Sequence, residues 1–527
     1  LAKVQIATGD VARALREADR IVEVSHHFDR SRVLPLEPPA ALAWQDEDGH
    51  LVVRSPSASP LRLRLALADA LGVAGGSIRI ERPDVGGVAL ARGGVLLEVV
   101  CGLVTLRTGR PSRFVLRPDH PAGSLDRGAC SVEARASVRG GTITGIEVHL
   151  RQDIGQAAGA ADLEAELRRA AACLELYAIP ASAFEAESGA SHSSPAGGSA
   201  ALAASVAVEA LVDEVADATG EEPLALRRSL LADPGRGGPG ASVERCLREA
   251  GSNRRPRPVM VTGHRGLGVA LARSPLGGAD ATATLARNED GSFTVSWGPC
   301  EASTSAGGIL QALVARSLGV PAPSVTVNLA LHAEPPAAGV ADLWITARAV
   351  EAAGLQMAAK LKAKRGKGGA SQVVNTSHRA DQAPIPAGAF MAEVDVDPET
   401  GIVTILRLFQ ALGAGATEPL IEAKAQGDAL RGLAFVLFER TASSSASATR
   451  LRTVDLPGLT TLLAREGRPR PLGAAPIGEV ALLGAAAAVA NAVARACGVR
   501  IVELPLTPER VLTALESRRK LAEEPAR

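Results

Sequence analysis

The chain has 527 residues, 46% of them hydrophobic, and its 57 Lys and Arg balance its 57 Asp and Glu. That length is too great for one compact core and predicts two or more domains. Zero net charge and an aromatic content of 2% remove the bulk electrostatic pull and the stacking surfaces expected of a nucleic-acid or membrane-surface binder.

Taken in chain order, the opening stretch LAKVQIATGDVARALREADR is amphipathic and charged, unlike a secretory leader. A hairpin is predicted with its turn at Asp48-Gly49, then a helix from Ser59 to Gly72 that starts on Ser-Pro and stops on Gly. A second hairpin turns at Gly140-Gly141. A helix over Ala200 to Gly220 puts Val208, Leu211, Val212 and Val215 on one face. The Gly-, Pro- and Arg-rich stretch 233–258 predicts a linker between a first domain, 1–232, and a second, 259–527. Beyond it, GHRGLGVA (263–270) has the glycines of a nucleotide loop without the strand-then-helix context such a loop needs. Further hairpins turn at Asp290-Gly291 and around Pro398 to Gly401. Helices are predicted over GGILQALVARSLG, TARAVEAAGLQMAAKLKAK and TPERVLTALESRR, the last with Thr507 as N-cap. The basic run Lys360 to Gly369 reads as a solvated helix end and loop. Strand pairs interleaved with helices predict an α+β architecture of two large mixed domains.

Both halves carry a hairpin, a helix and then Leu-Gly-Val, in DALGVAGGSIRI and RSLGVPAPSVTV. Either an internal duplication or a common helix-to-strand connection accounts for this.

The six cysteines, Cys101, Cys130, Cys173, Cys246, Cys300 and Cys497, form no C-x-x-C pair. The chain thus carries no iron-sulfur or structural zinc motif, no metal ligand set is assigned, and reduced thiols in a cytoplasmic setting are expected. The apolar run from Val480 to Ala494, broken by Asn491, is too short for a membrane span. Just before it lies Glu479, either a catalytic base or an acid favoured at a helix start.

PLEPPAALA (35–43), SPSASP followed by its helix, PDVGG (83–87), AEVDVDPETGIVTILRL and GAAPIGEVALLGAAAAVANAVARACG occur in an order that resembles the molybdopterin-binding large subunit of the xanthine dehydrogenase and aldehyde oxidase family. The resemblance extends over almost the whole chain. It implies two large α+β domains holding a molybdopterin cofactor, with an upstream small domain lying outside this chain. It also implies iron-sulfur and flavin centres on partner subunits of a hetero-oligomer. The implied reaction on a small-molecule substrate is hydroxylation of a heteroaromatic or aldehyde carbon, with water as oxygen source.

Carried over residue by residue, the resemblance makes Glu479 the catalytic base and Gly478 a cofactor neighbour. Gly86 and Gly87 fall in the first cofactor loop, Thr304 and Ser305 in the second, and Glu37 on the substrate side. Several of the family's pocket residues are replaced. The first loop reads GGVALAR (86–92) and the second EASTS (301–305), while Lys424 and Asp428 stand where the family has Gln and Gly. Two functions therefore follow: a working molybdenum hydroxylase subunit, or a non-catalytic relative that serves as scaffold or assembly subunit of such a complex.

Overall fold

The structure, a computed structural model, describes residues 2–33, 37–57, 60–83, 95–117, 125–155, 160–191, 199–231, 243–244, 247–248, 263–274, 280–298, 306–329, 343–363, 372–379, 386–413, 419–439, 456–463 and 478–523.

Along these residues one topology occurs twice. In the first copy, β1 (Lys3–Thr8) and α1 (Val11–Arg16) lead to β2 (Arg20–Phe28) and the short β3 (Ser31–Val33). An inserted module follows: β4 (Ala40–Gln45), β5 (Leu51–Arg54), α2 (Pro60–Leu71), β6 (Ile78–Glu81), α3 (Leu96–Thr108) and β7 (Ser112–Val115). The chain returns through β8 (Leu125–Arg127) to the hairpin β9 (Cys130–Arg139) and β10 (Thr142–Gly155). Next come α4 (Ala160–Ala170), β11 (Ala181–Ser191), α5 (Ala200–Thr219) and α6 (Pro223–Ser229). The second copy opens with β12 (His264–Arg273). Its inserted module is β13 (Ala281–Arg287), β14 (Phe293–Gly298), α7 (Ala306–Leu318), β15 (Val325–Leu329), α8 (Leu343–Ala363) and β16 (Gln372–His378). The framework resumes with β17 (Ala387–Val396), β18 (Val403–Leu412), α9 (Pro419–Leu437), β19 (Gly458–Leu463) and α10 (Val480–Cys497). β20 (Glu503–Leu504) and α11 (Pro508–Glu523) end the chain's described elements.

The inserted modules form sheets of order β6-β5-β4-β7 and β15-β14-β13-β16, the same arrangement in both copies. β5 and β6 run parallel, as do β14 and β15, and the other pairs are antiparallel. The Leu-Gly-Val segments match in detail. Val73 N–H donates to Ala68 O at 3.1 Å, and Val320 N–H donates to Ala315 O at 3.0 Å. Each bond closes a helix whose following glycine has positive φ, a Schellman-type end. Shared strand order, strand sense and caps favour duplication over a chance connection.

The contacts divide the chain into two compact units, one of 1–33, 126–275 and 384–527, the other of 34–125 and 276–383. The sequence-based boundaries, 1–232 and 259–527, separate the two copies and cut across both units. The physical cause is strand pairing. β2 pairs antiparallel with β9, from Arg20↔Val138 to Phe28↔Cys130, so the first inserted module is bracketed out of its own framework. β12 with β17 does the same for the second, from His264↔Val396 to Arg273↔Ala387. The larger unit is thus built from framework pieces of both copies, and the smaller unit from both inserts. The expected linker, 233–258, falls within the span of the larger unit and lies mostly outside the described residues.

In the larger unit, α5 and α10 form the heart of the core. α5 is buried from Ala200 to Ala216 on all its faces, not on the single face its periodicity predicts, because sheet, helix and 3₁₀ neighbours surround it. α10 is the one helix among the described residues long and apolar enough to cross a membrane, and 89% of it is buried here as a core helix. It lies directly on β12. A Cβ on Gly268 would stand 2.1 Å from Ala488 O, and one on Gly266 would stand 1.9 Å from Ala492 O. The glycines of GHRGLGVA therefore let a helix sit on a strand, which is a packing role.

Four of the cysteines, Cys101, Cys130, Cys173 and Cys497, are buried and unpaired, and burial pushes the Cys497 thiol up to about 11. Cys246 and Cys300 lie outside the described residues.

Candidate functional site

Glu479 is the N-cap of α10 and is half-buried. Its backbone carbonyl accepts from Leu483 N–H at 3.1 Å, and its N–H donates to Ser274 Oγ at 3.2 Å. Ser274 is buried at the end of β12, and its own N–H donates to Pro386 O at 3.2 Å. Gly478 holds a left-handed φ of 49°, and a Cβ there would stand 3.0 Å from Ser274 Oγ. The turn that presents Glu479 therefore needs glycine. Lys424 of α9 donates to Gly478 O at 3.1 Å and pairs with Asp428 at 2.7 Å. Asp428 in turn holds Arg431 at 3.1 Å. The backbone bearing Glu479 is thus tied to β12 on one side and α9 on the other. Its carboxylate caps no N–H of the helix and makes no hydrogen bond or ion pair with any described residue. An acid present only to cap the helix would accept from the first turn, and this one does not.

The equivalent position in the first copy is Ser199, N-cap of α5, also without a side-chain capping bond. Buried Gln152, on β10, donates through Nε2 to Ser199 Oγ and, at 3.3 Å, to Glu166 of α4. Gln152 Oε1 is buried with no partner.

The two helices run parallel. Asn491 of α10 donates to Glu209 O of α5 at 3.2 Å, and Arg495 donates to Asp213 at 3.2 Å, so contacts step in the same direction along both. The N-termini of α5 and α10, and with them Ser199 and Glu479, lie at the same end of the larger unit. A buried charge network fixes this alignment. Arg227 donates to Glu209 Oε2 at 2.8 Å and to Asp213 at 3.3 Å, while Leu271 N–H donates to Glu209 Oε2 at 3.0 Å. Tyr177 donates its hydroxyl to Glu209, and burial followed by the Glu209 charge holds its phenol well above the usual range. Arg500 donates to Glu214 at 2.6 Å and to Asn491 Oδ1 at 2.9 Å. Nearby, burial and then Arg500 push the His26 imidazole down to about 3.

Of the residues expected from the sequence, Glu479 and Gly478 therefore sit together at a helix start. Glu37 is exposed in the smaller unit. Gly86, Gly87, Thr304 and Ser305 lie outside the described residues. Gln152, Glu166, Ser199 and Ser274 were missed, since only the pairing of β10 with β11 and of β12 with β17 brings them to the helix starts. The repeated Leu-Gly-Val pattern was the one signal in the sequence that could have led to Ser199, as the counterpart of Glu479. Among the described residues, one cluster has metal-ligand spacing, Asp46, Asp48 and His50 in the β4–β5 turn. Arg79 already bridges its two carboxylates, at 2.5 and 3.3 Å.

Two helix starts whose N-cap side chains leave the first-turn N–H groups open form an end suited to an anionic group with hydrogen-bonding edges. The buried, unpaired Gln152 Oε1 adds an acceptor in want of a donor. The donor set present fits a molybdopterin in charge and polarity.

A family model, the molybdopterin cofactor-binding domain, matches residues 1–231. A putative xanthine dehydrogenase molybdenum-binding subunit of Escherichia coli is 24% identical over 96% of this chain and 78% of its own length. The aldehyde oxidoreductase of Megalodesulfovibrio gigas is 25% identical over 96% of this chain, which spans only 62% of that relative. Among solved structures, the CO dehydrogenase of Oligotropha carboxidovorans superposes with a TM-score of 0.82 at 16% identity, covering 98% of this chain and 78% of its own. Residues 1–231 thus form a molybdopterin cofactor-binding domain, and over almost its whole length the chain resembles the molybdenum-binding subunits of the xanthine dehydrogenase and aldehyde oxidase family.

Proposed function

We propose that the end of the larger unit where α5 and α10 begin is the reactive edge of a molybdenum hydroxylase, with Glu479 as its general base. The observation that carries this is the Glu479 carboxylate, half-buried and without a partner among the described residues at the start of α10, while its backbone is tied down on both sides. The open N–H groups of both helix starts, with Gln152 and Ser199, would hold the cofactor's polar edges. Bound there, the cofactor would supply two-electron oxidation and oxygen transfer to an aldehyde or N-heteroaromatic carbon. Glu479 would take up the proton released as the water-derived oxygen is delivered, a role that contributes about 10²- to 10⁴-fold in rate. Lys424 and Ser274 keep its backbone from shifting, which matters because small misplacements of a base cost much of its effect. The two electrons would leave through iron-sulfur and flavin subunits of a hetero-oligomer. The four buried unpaired thiols support a reducing, cytoplasmic setting.

The test is to purify the chain with its native partner subunits from a host that makes the cofactor, and to measure bound molybdenum. Stoichiometric metal is expected, and Glu479→Gln should keep it while turnover of an aldehyde and N-heteroaromatic panel falls at least about 100-fold. A chain without molybdenum would instead be the scaffold subunit. A metal-loaded Glu479→Gln variant with unchanged turnover would remove Glu479 from the base role.

A further inference from the structure

The inserted modules provide an internal control for what their fold requires. α3 and α8 occupy equivalent positions, each packed on the hairpin strands of its own sheet. The outward face of α8 is mixed, with Arg348, Glu351, Gln356 and Lys360 around a single exposed leucine, Leu355. The outward face of α3 is an unbroken apolar stripe. Leu96 is 63% exposed, Val100 36%, Leu103 47% and Val104 43%, at spacings that put all four on one side of the helix. Scattered exposed leucines are ordinary on a protein surface, but a contiguous stripe on one helix marks an interaction surface. The equivalent helix shows that the fold itself does not require it.

Charge identifies the occupant. The stripe continues into Arg107 at the end of α3, and Arg110 follows on the turn, both exposed and without an acidic partner among the described residues. The one acid on α3, Glu98, is turned inward and buried, where it accepts from Ser55 Oγ at 2.5 Å. The face is therefore apolar at one end and purely cationic at the other. A second copy of the chain would oppose like charge to like charge if docked in the same sense. A lipid surface is matched by cations along both flanks of an apolar stripe, whereas these are confined to its end.

We propose that the α3 face, from Leu96 to Val104 with Arg107 and Arg110 at its edge, is the docking surface for a different protein subunit. That partner presents apolar side chains beside a cluster of carboxylates. The apolar stripe supplies the buried centre of the contact, and the arginines supply orientation and a salt-sensitive encounter.

The test uses the full chain, tagged and purified at low salt from its source organism, with bound subunits counted by native mass spectrometry and hydrogen–deuterium exchange followed over residues 96–115. A stoichiometric second subunit is expected, protecting that segment and released as salt is raised. Leu103→Asp and the double variant Arg107→Glu/Arg110→Glu should each lower its retention about tenfold or more. The double variant changes only exposed side chains, so it tests the surface even if Leu103→Asp folds poorly. Wild-type retention in both variants, or protection confined to other segments, overturns the proposal. So does self-association of the chain that Leu103→Asp disperses, or uptake by phosphatidylglycerol vesicles without any protein subunit bound.

Discussion

Asn491 of α10 gives its side-chain amide to two backbone carbonyls at once, Glu209 O of α5 at 3.2 Å and Val269 O of β12 at 3.0 Å. One buried side chain thereby fastens the two central helices to each other and to the strand beneath. It is itself held by Arg500, so the alignment of the two helix starts rests on a connected polar core.

Breaking that core should be costly. Asn491→Leu leaves two buried carbonyls without that donor and should lower stability by about 1–3 kcal/mol. Arg227→Met takes from buried Glu209 its one cation and from Asp213 one of three among the described residues, both acids being 2% exposed at the side chain, and should cost about 3–5 kcal/mol. Urea denaturation of the two variants beside the wild type checks both figures and their order.

Glycine substitutions should split by what surrounds them. Gly268→Ala drives a methyl group to within 2.2 Å of Ala492 N and 2.1 Å of Ala488 O, both backbone atoms of a core helix. Neither can yield, so a loss of at least about 1–3 kcal/mol is expected. Gly427 is exposed within α9, with nothing within 4 Å of an added Cβ, and Gly427→Ala should instead stabilise by up to about 1 kcal/mol. Thermal unfolding of the pair, opposite in sign, is the readout.

The presentation of Glu479 depends on Gly478. Its φ of 49° and the 3.0 Å approach to Ser274 Oγ both resist a side chain. Gly478→Ala should cost about 1–2 kcal/mol of local strain. If the base depends on this turn, the variant should lower kcat more than it raises KM in the metal-loaded complex, which steady-state kinetics would reveal.

Acid sensitivity should trace in part to His26. Its folded pKa, about 3, lies below the unfolded value near 6.5, because burial and then Arg500 oppose the imidazolium. As pH falls below about 6.5 the unfolded chain binds a proton that the folded chain refuses. Stability should therefore fall between pH 6.5 and about 3, by at most roughly 1.4 kcal/mol per pH unit from this group, and not change on its account above that window. His26→Gln should flatten the slope in that window, as measured by urea unfolding across a pH series.

The sequence by itself determined the local pieces. Hairpin turns at Gly49, Gly141, Gly291 and Gly401, the Leu-Gly-Val helix ends and the turn before Glu479 are fixed by neighbouring residues, because positive φ and capping are decided within a few peptide units. Ordered motifs along the whole length also made the family legible. Only the tertiary structure decided what lies beside what. β2 finds β9 across an inserted module, α5 is enclosed on every side, and Gln152 meets Ser199 at a helix start, all through contacts between residues far apart in the chain. The outward turn of the α3 stripe was decided the same way. Its leucines and valines look like core residues until the sheet takes the opposite face of the helix, with Leu97, Cys101 and Thr105, and leaves them in solvent.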